Sequence, residues 1–213
     1  MRIDRAGIDA LEKQRRAALI NSITGFKPVN LIGTADEAGQ TNLAIMSSLV
    51  HIGSNPPLLA LILRPDSVDR HTLANIRATG SYTINHVTSA IVDAAHQTAA
   101  RYPKEVSEFE ATGLTPLVRE DCVAPFVQEA TVRLQMKFRE EHLLEVNGTH
   151  FVIGEIMAIE APDEAFNAEG ALDPARADSV ALSGLDSYYR AELIQRMAYA
   201  KPDEPPRRLP VED

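Results

Sequence analysis

A single cysteine, Cys122, leaves the chain unable to close a disulfide on itself, which excludes the cross-linked scaffolds of small secreted proteins. Long apolar runs are missing too. The longest, Leu58 to Leu63, falls far short of the ~20 residues of a membrane-spanning helix. The stretch Met1 to Arg16 carries no apolar segment of the kind a secretory signal requires, so a cytoplasmic location is expected. Positive charge is scarce: 21 Lys and Arg stand against 30 Asp and Glu, a formal net charge of -9. Such a surface repels nucleic-acid phosphate and anionic lipid, so neither is an expected partner. A local basic site for one small anion stays compatible with that balance. No Gly-x-Gly-x-x-Gly opens a helix after a strand, and neither a Gly-Lys-Ser/Thr phosphate loop nor a Gly-x-Ser-x-Gly elbow occurs. The histidines, His51, His71, His86, His96, His142 and His150, lack zinc-like spacing, so no metal site is expected.

What is present suits one compact domain. The 213 residues are 45% hydrophobic, enough for a real core but thin for two. The expected domain covers residues 1–200, with an N-terminal helix over 1–22 and an extension over 161–200, and 201–213 form a charged, Pro-rich tail. Strands are expected at Val29 to Thr34, Thr41 to Met46 and Ser81 to Val87. Leu58 to Leu63, apolar on both faces, reads as a central, fully buried strand. Thr131 to Glu140 alternates apolar and polar residues, the pattern of a half-buried strand, and His150 to Glu160 follows it. Asn147-Gly148 predicts a type I′ turn between these two. Although Asn147 to Thr149 also matches a glycosylation sequon, the turn is the preferred reading. Helical spacing is expected over Thr72 to Ala78, Ser89 to Ala100, Glu105 to Glu110 and Leu185 to Met197. Strands dominate without a βαβ rhythm, which favours a mainly β, antiparallel barrel with peripheral helices over a doubly wound sheet.

Two segments carry candidate chemistry. Thr41 to Val50 concentrates small and hydroxyl side chains in a strand. Small residues let a flat heterocycle approach the backbone, and hydroxyls bond its polar edge. Ser and Thr on the solvent face of a strand would look the same. Arg64, then Arg70, His71 and Thr72 at a helix start, suit a phosphate, or else form a solvated turn. One strand separates the segments, so together they fit a mononucleotide.

Beyond composition and spacing, Asn42-Leu43-Ala44-Ile45-Met46-Ser47-Ser48 followed by Asn55-Pro56-Pro57-Leu58 resembles the flavin-binding segment of the flavin-reductase-like family. Arg70 to Ile76, Gly80 to Asn85, Ser107 to Leu114, Gly148 to Glu155 and Gly184 to Arg190 are similar to further parts of its pattern, the main similarity running from about residue 24 to 160. The resemblance implies an FMN-binding, Greek-key split barrel and a homodimer holding FMN, less often FAD, near the subunit interface. It implies that Asn42, Ala44, Ser47 and Ser48 line the ring and ribityl chain. Met46 and Asn85 lie in the same matched segments and count with the cofactor-binding residues. Arg64, Arg70, His71 and Thr72 would hold the phosphate, and Phe109 and Gly113 would sit in a loop near the flavin. The implied activity is hydride transfer from NAD(P)H to flavin, with a monooxygenase or other electron acceptor as partner. His150 is the catalytic candidate, for a nicotinamide contact or a proton, though a plain strand-end histidine fits as well. The alternatives are an FMN-holding electron carrier or sensor without NAD(P)H activity, and a module binding another phosphate-bearing ligand.

Overall fold

A computed structural model describes residues 1–65 and 71–211. Two short helices lead, α1 (Arg5–Ala10) and α2 (Lys13–Ser22). Next come β1 (Lys27–Pro28), β2 (Asn30–Ala35), β3 (Thr41–Met46), β4 (Leu49–Ser54) and β5 (Pro57–Leu63). Helix α3 (His71–Thr79) leads into β6 (Ser81–His86), then α4 (Val92–Gln97) and α5 (Glu108–Thr112). A hairpin, β7 (Pro116–Arg119) and β8 (Cys122–Val127), precedes two long strands, β9 (Arg133–Leu144) and β10 (Thr149–Glu160). The chain ends in β11 (Val180–Ser183), β12 (Ser187–Arg190), β13 (Arg196–Met197) and β14 (Arg208–Leu209). No helix among the described residues is long and apolar enough to cross a membrane.

Seven strands form one antiparallel sheet in the order β3-β2-β6-β9-β10-β5-β4. Its two outer strands, β3 and β4, are separated in the chain only by Ser47 and Ser48. Laid flat, the sheet would put those strands ~29 Å apart, at ~4.8 Å per step. From Met46 to Leu49 the chain reaches at most about 11 Å. The sheet must therefore curl until its edges meet, which makes it a split barrel with Ser47–Ser48 at the seam. One core cluster joins Ile32, Leu61, Tyr82, Ile84, Met136 and Val152 from the strands to Leu73 and Ile76 of α3. A second joins Leu31, Leu43 and Val87 to Phe109 of α5 and Val180 of β11. Gly154 and Gly33 are glycines for lack of room. A Cβ on Gly154 would overlap the Tyr82 hydroxyl, and one on Gly33 would overlap the Pro125 carbonyl.

The outer edge of β3 is closed by side chains. The Leu43 amide donates to Glu108 at 2.8 Å, the Ile45 amide donates to Thr98 at 3.0 Å, and the Thr41 and Ser107 hydroxyls lie 2.7 Å apart. An edge strand with satisfied amides offers no template for another chain.

Several expectations need correction. The Leu58–Leu63 strand is next to the edge rather than central, and Ile62 is 36% exposed. The strand buried along its whole length is β2, flanked by β3 and β6 and covered on both faces. The N-terminal helix is two helices, because Leu11 turns extended between them. The turn before β10 is not type I′, which requires φ > 0 at both central residues. Gly148 has φ 70° but Asn147 stays outside that region, and both amides donate to the Leu144 carbonyl. Leu185–Met197 is not helical: Gly184, at φ 65°, turns the chain so that Ser187–Arg190 pairs back onto β11. The β7–β8 hairpin, with a proline in each strand, has no counterpart among the expected strands.

Candidate functional site

Alternation along β3 puts Asn42, Ala44 and Met46 in one row. Leu43 and Ile45 face the other way, into the second cluster, while Met46 packs on the first. The row ends at Ser47 and Ser48, both half-buried. The Ser48 hydroxyl donates to the Ile62 carbonyl at 2.7 Å, and the Ile62 amide donates to the Ser48 carbonyl at 3.1 Å. The seam is thereby fixed to the end of β5, one residue before Leu63 and two before the exposed Arg64.

At the other end of the row stands α3. The Asn42 amide nitrogen donates to the Thr72 hydroxyl at 3.0 Å and to the Thr34 hydroxyl at 3.4 Å. Asn75, one turn further along α3, donates to the same Thr34 oxygen at 3.1 Å. All four side chains are buried. Because Asn42 supplies a donor to Thr72, the Thr72 hydroxyl keeps its own proton for another acceptor. Next to this network is a crevice lined by Asp36, Thr41, Asn42, His71, Asn75 and Lys104. The chain thus leaves the barrel beside Ser48 and returns as α3 beside Asn42, so Arg64 and His71–Thr72 bracket the row. Arg70 lies outside the described residues.

His150 sits at the Arg64 end, opposite Leu63 in register. It is buried, and its Nδ1 lies 2.6 Å from Glu141 Oε1. Arg77, in the last turn of α3, donates twice to the same carboxylate, at 2.9 and 2.6 Å. These hydrogen bonds, the Arg77 ones foremost, hold the Glu141 carboxyl below its ordinary range.

Three residues are not brought to the row. The Asn85 side chain is spent on the barrel wall, donating to the Leu31 carbonyl and the Thr83 hydroxyl and accepting from the Val127 amide. Phe109 is a core residue of the second cluster, on the far side of β3. Gly113 ends α5 with φ 76° and is exposed. Their places in matched segments do not reveal which face each occupies. Sequence reasoning missed Thr34, Asn75, Arg77 and Glu141. Of these, only Asn75 left a signal, its i+3 spacing from Thr72 on a helix.

The closed sheet, with its two edges joined by the Ser47–Ser48 seam, defines a split-barrel protein. The chain belongs to the flavin reductase-like family, whose sequence model, the flavin reductase like domain, matches residues 26–180. A split-barrel protein of the flavin reductase type from Shewanella frigidimarina is 50% identical, with a TM-score of 0.90 over 94% of this chain and 100% of that one. The flavoredoxin of Desulfovibrio vulgaris is 26% identical, with a TM-score of 0.68 over 84% of this chain and 92% of its own. An uncharacterised protein of Aquifex aeolicus is 28% identical over 139 residues, 64% of this chain and 70% of its own. The protein is thus an oxidoreductase-type flavoprotein.

Proposed function

We propose that the protein is an FMN-dependent oxidoreductase that takes hydride from NADH or NADPH, as a cytoplasmic homodimer serving a monooxygenase or another electron acceptor. The observation that carries this reading is the row Asn42–Ala44–Met46, which opens onto Ser47–Ser48 at one end and meets a pre-set Thr72 hydroxyl at the other. From residue 42 to residue 47 a strand extends about 16 Å, a length that suits a ring, a ribityl chain and a phosphate in line. The residues present fit the group. Ala44 leaves space for a flat ring, Ser47 and Ser48 offer hydroxyls and amides, and Arg70, His71 and Thr72 supply charge and donors for the phosphate at the Asn42 end, while Arg64 stands at the opposite, ring end of the row and is not assigned to the phosphate. FAD fits less well, since this row suits one phosphate.

Bound FMN would supply a ring able to accept a hydride, chemistry the protein itself lacks. The chain's own residues bind and orient. Asn42 fixes the Thr72 hydroxyl rotor so that its proton points away from Asn42. Glu141 holds the His150 ring through Nδ1, which sets its tautomer and orientation. His150 is the proposed contact for the nicotinamide, at the strand end next to Arg64.

The second reading is an FMN-holding electron carrier, favoured by the likeness to a flavoredoxin. Anaerobic stopped-flow mixing with NADH and with NADPH separates the two. Rapid bleaching of the bound flavin supports the reductase. A yellow protein that neither donor bleaches supports the carrier. A protein that binds no flavin refutes both.

A further inference from the structure

Strand β2 is buried along its whole length, and it carries two polar side chains that meet different fates. Thr34 accepts hydrogen bonds from Asn42 and Asn75. Asn30, only 1% exposed, has a fully enclosed side-chain nitrogen with no hydrogen-bond partner among the described residues. Buried polar groups are nearly always paired, and an unpaired donor destabilises the fold that holds it. Asn is also a poor strand former, so an apolar residue would serve this position better. A residue that weakens the fold without a structural return points to function.

The place of Asn30 follows from alternation along the strand. Val29 and Leu31 belong to the second core cluster, Ile32 belongs to the first, and Thr34 meets Asn42. Asn30 therefore shares the face of Ile32 and Thr34. In register, Thr34 stands opposite Asn42, Ile32 opposite Ala44 and Asn30 opposite Met46. A second row thus runs beside Asn42–Ala44–Met46, ~4.8 Å away, with a polar residue near each end. At the Asn42 end the polar groups satisfy one another. At the seam end Asn30 is left with free donors. Its neighbour on the other side is His86, whose Nδ1 lies 2.8 Å from the Ser179 hydroxyl. Met46, half-buried, stands between Asn30 and Ser47, and its unbranched chain can change rotamer without moving the backbone. The other unpaired buried atom, the Tyr82 hydroxyl, lies against Gly154 of β10 rather than at the seam.

We propose that Asn30 is a ring-recognition residue, its amide nitrogen donating to an acceptor on the polar edge of a bound flavin once Met46 moves aside. The inference rests on the flavin reading above and deepens it by adding a specificity-determining contact at the ring end. The chemistry of the amide selects the edge. Its NH2 group offers two protons and needs acceptors. The pyrimidine edge of the flavin ring carries two carbonyl oxygens, whereas the opposite edge carries only carbon. The contact is made to the ring and not to the phosphate, so FMN and riboflavin share it.

The test compares the parent with Asn30→Val and Asn30→Ala in two measurements. Urea denaturation of the flavin-free proteins reads what the unpaired amide does to the fold. At least one variant should unfold at or above the parent's midpoint, because the amide nitrogen has no partner to lose and valine suits a strand. Midpoints that both fall below the parent's overturn the inference, since a buried water would then be satisfying the amide. Fluorescence titration with FMN and with riboflavin reads the ring contact. Both variants should bind each flavin about fivefold more weakly, the scale of one neutral hydrogen bond. Binding like the parent's by either variant, or a loss confined to FMN, overturns the contact. A parent that binds neither flavin refutes the flavin reading itself, whereas a parent that binds both, beside variants that bind them equally well, refutes only the part given to Asn30.

Discussion

Asn42 shows how much of a site depends on one side chain's donors. Its nitrogen serves Thr34 and Thr72 together, so Thr72 reaches a ligand with its hydroxyl already oriented. Thr72→Val keeps the shape and removes that hydroxyl. It should weaken FMN binding by about 1 kcal/mol and leave riboflavin, which lacks the phosphate, unchanged in a fluorescence titration. Equal losses for both ligands would move the phosphate away from α3. Asn42 and Thr72 were legible in the sequence as polar residues in a strand and at a helix start. Thr34 was not, because only the β2–β3 register sets it opposite Asn42. A different residue-scale constraint governs Gly154, which makes room for the Tyr82 hydroxyl, a buried group with no hydrogen-bond partner among the described residues. Gly154→Ala should cost about 1–3 kcal/mol in urea denaturation, the scale of overpacking. The loss should shrink in a Tyr82→Phe background, where the overlapping oxygen is gone. A loss of the same size in both backgrounds would show that the hydroxyl is not the obstacle.

At the scale of elements, β3 is an edge strand sealed by its neighbours. Glu108→Ala would leave the Leu43 amide without its acceptor, and a buried unpaired amide costs about 1–3 kcal/mol. The chemical-denaturation midpoint should fall accordingly, and an unchanged midpoint would mean that water replaces the carboxylate. The C-terminal strands are held differently. His86 Nδ1 lies 2.8 Å from the Ser179 hydroxyl, just before β11. Burial pushes the His86 imidazole down to about 4 from 6.5. The unfolded chain then binds the proton more readily than the folded one. Stability is therefore whole above pH ~6.5 and declines as pH falls towards ~4, by up to about 3 kcal/mol. Denaturation midpoints at stepped pH should show that slope, and His86→Asn should flatten it; a slope unchanged in the variant would assign it to other groups. Alternation and turn chemistry made β2, β3, β6, β9 and β10 legible in the sequence. They failed for β12, where the residues from Leu185 onward allow a helix and only pairing with β11 decides. They failed for β5 too, since an apolar run looks the same whether the strand lies at the centre of a sheet or next to its edge.

The whole molecule is organised by its seam. Order and spacing of motifs made the split barrel legible, but no local pattern says that two residues must join the two edges of a seven-stranded sheet. That follows only from strand order. The constraint separates folding from function. Inserting two glycines between Ser47 and Ser48 doubles the length of the link, and each doubling of a flexible loop costs only ~0.6 kcal/mol. The core clusters lie on either side of the sheet and include neither serine. The urea midpoint should therefore shift little. Flavin binding should not survive as well, because the insertion displaces both the hydroxyl and the amide of Ser47 from the row, while Ser48 stays tied to Ile62. Each neutral hydrogen bond lost is worth about 1 kcal/mol, so two would weaken binding by roughly tenfold or more. FMN and riboflavin should suffer alike, since the seam is assigned to the ring and not to the phosphate. That pattern is the converse of the Thr72→Val result, which should spare riboflavin. An insertion variant that folds and binds both flavins like the parent would place the ring elsewhere on the barrel.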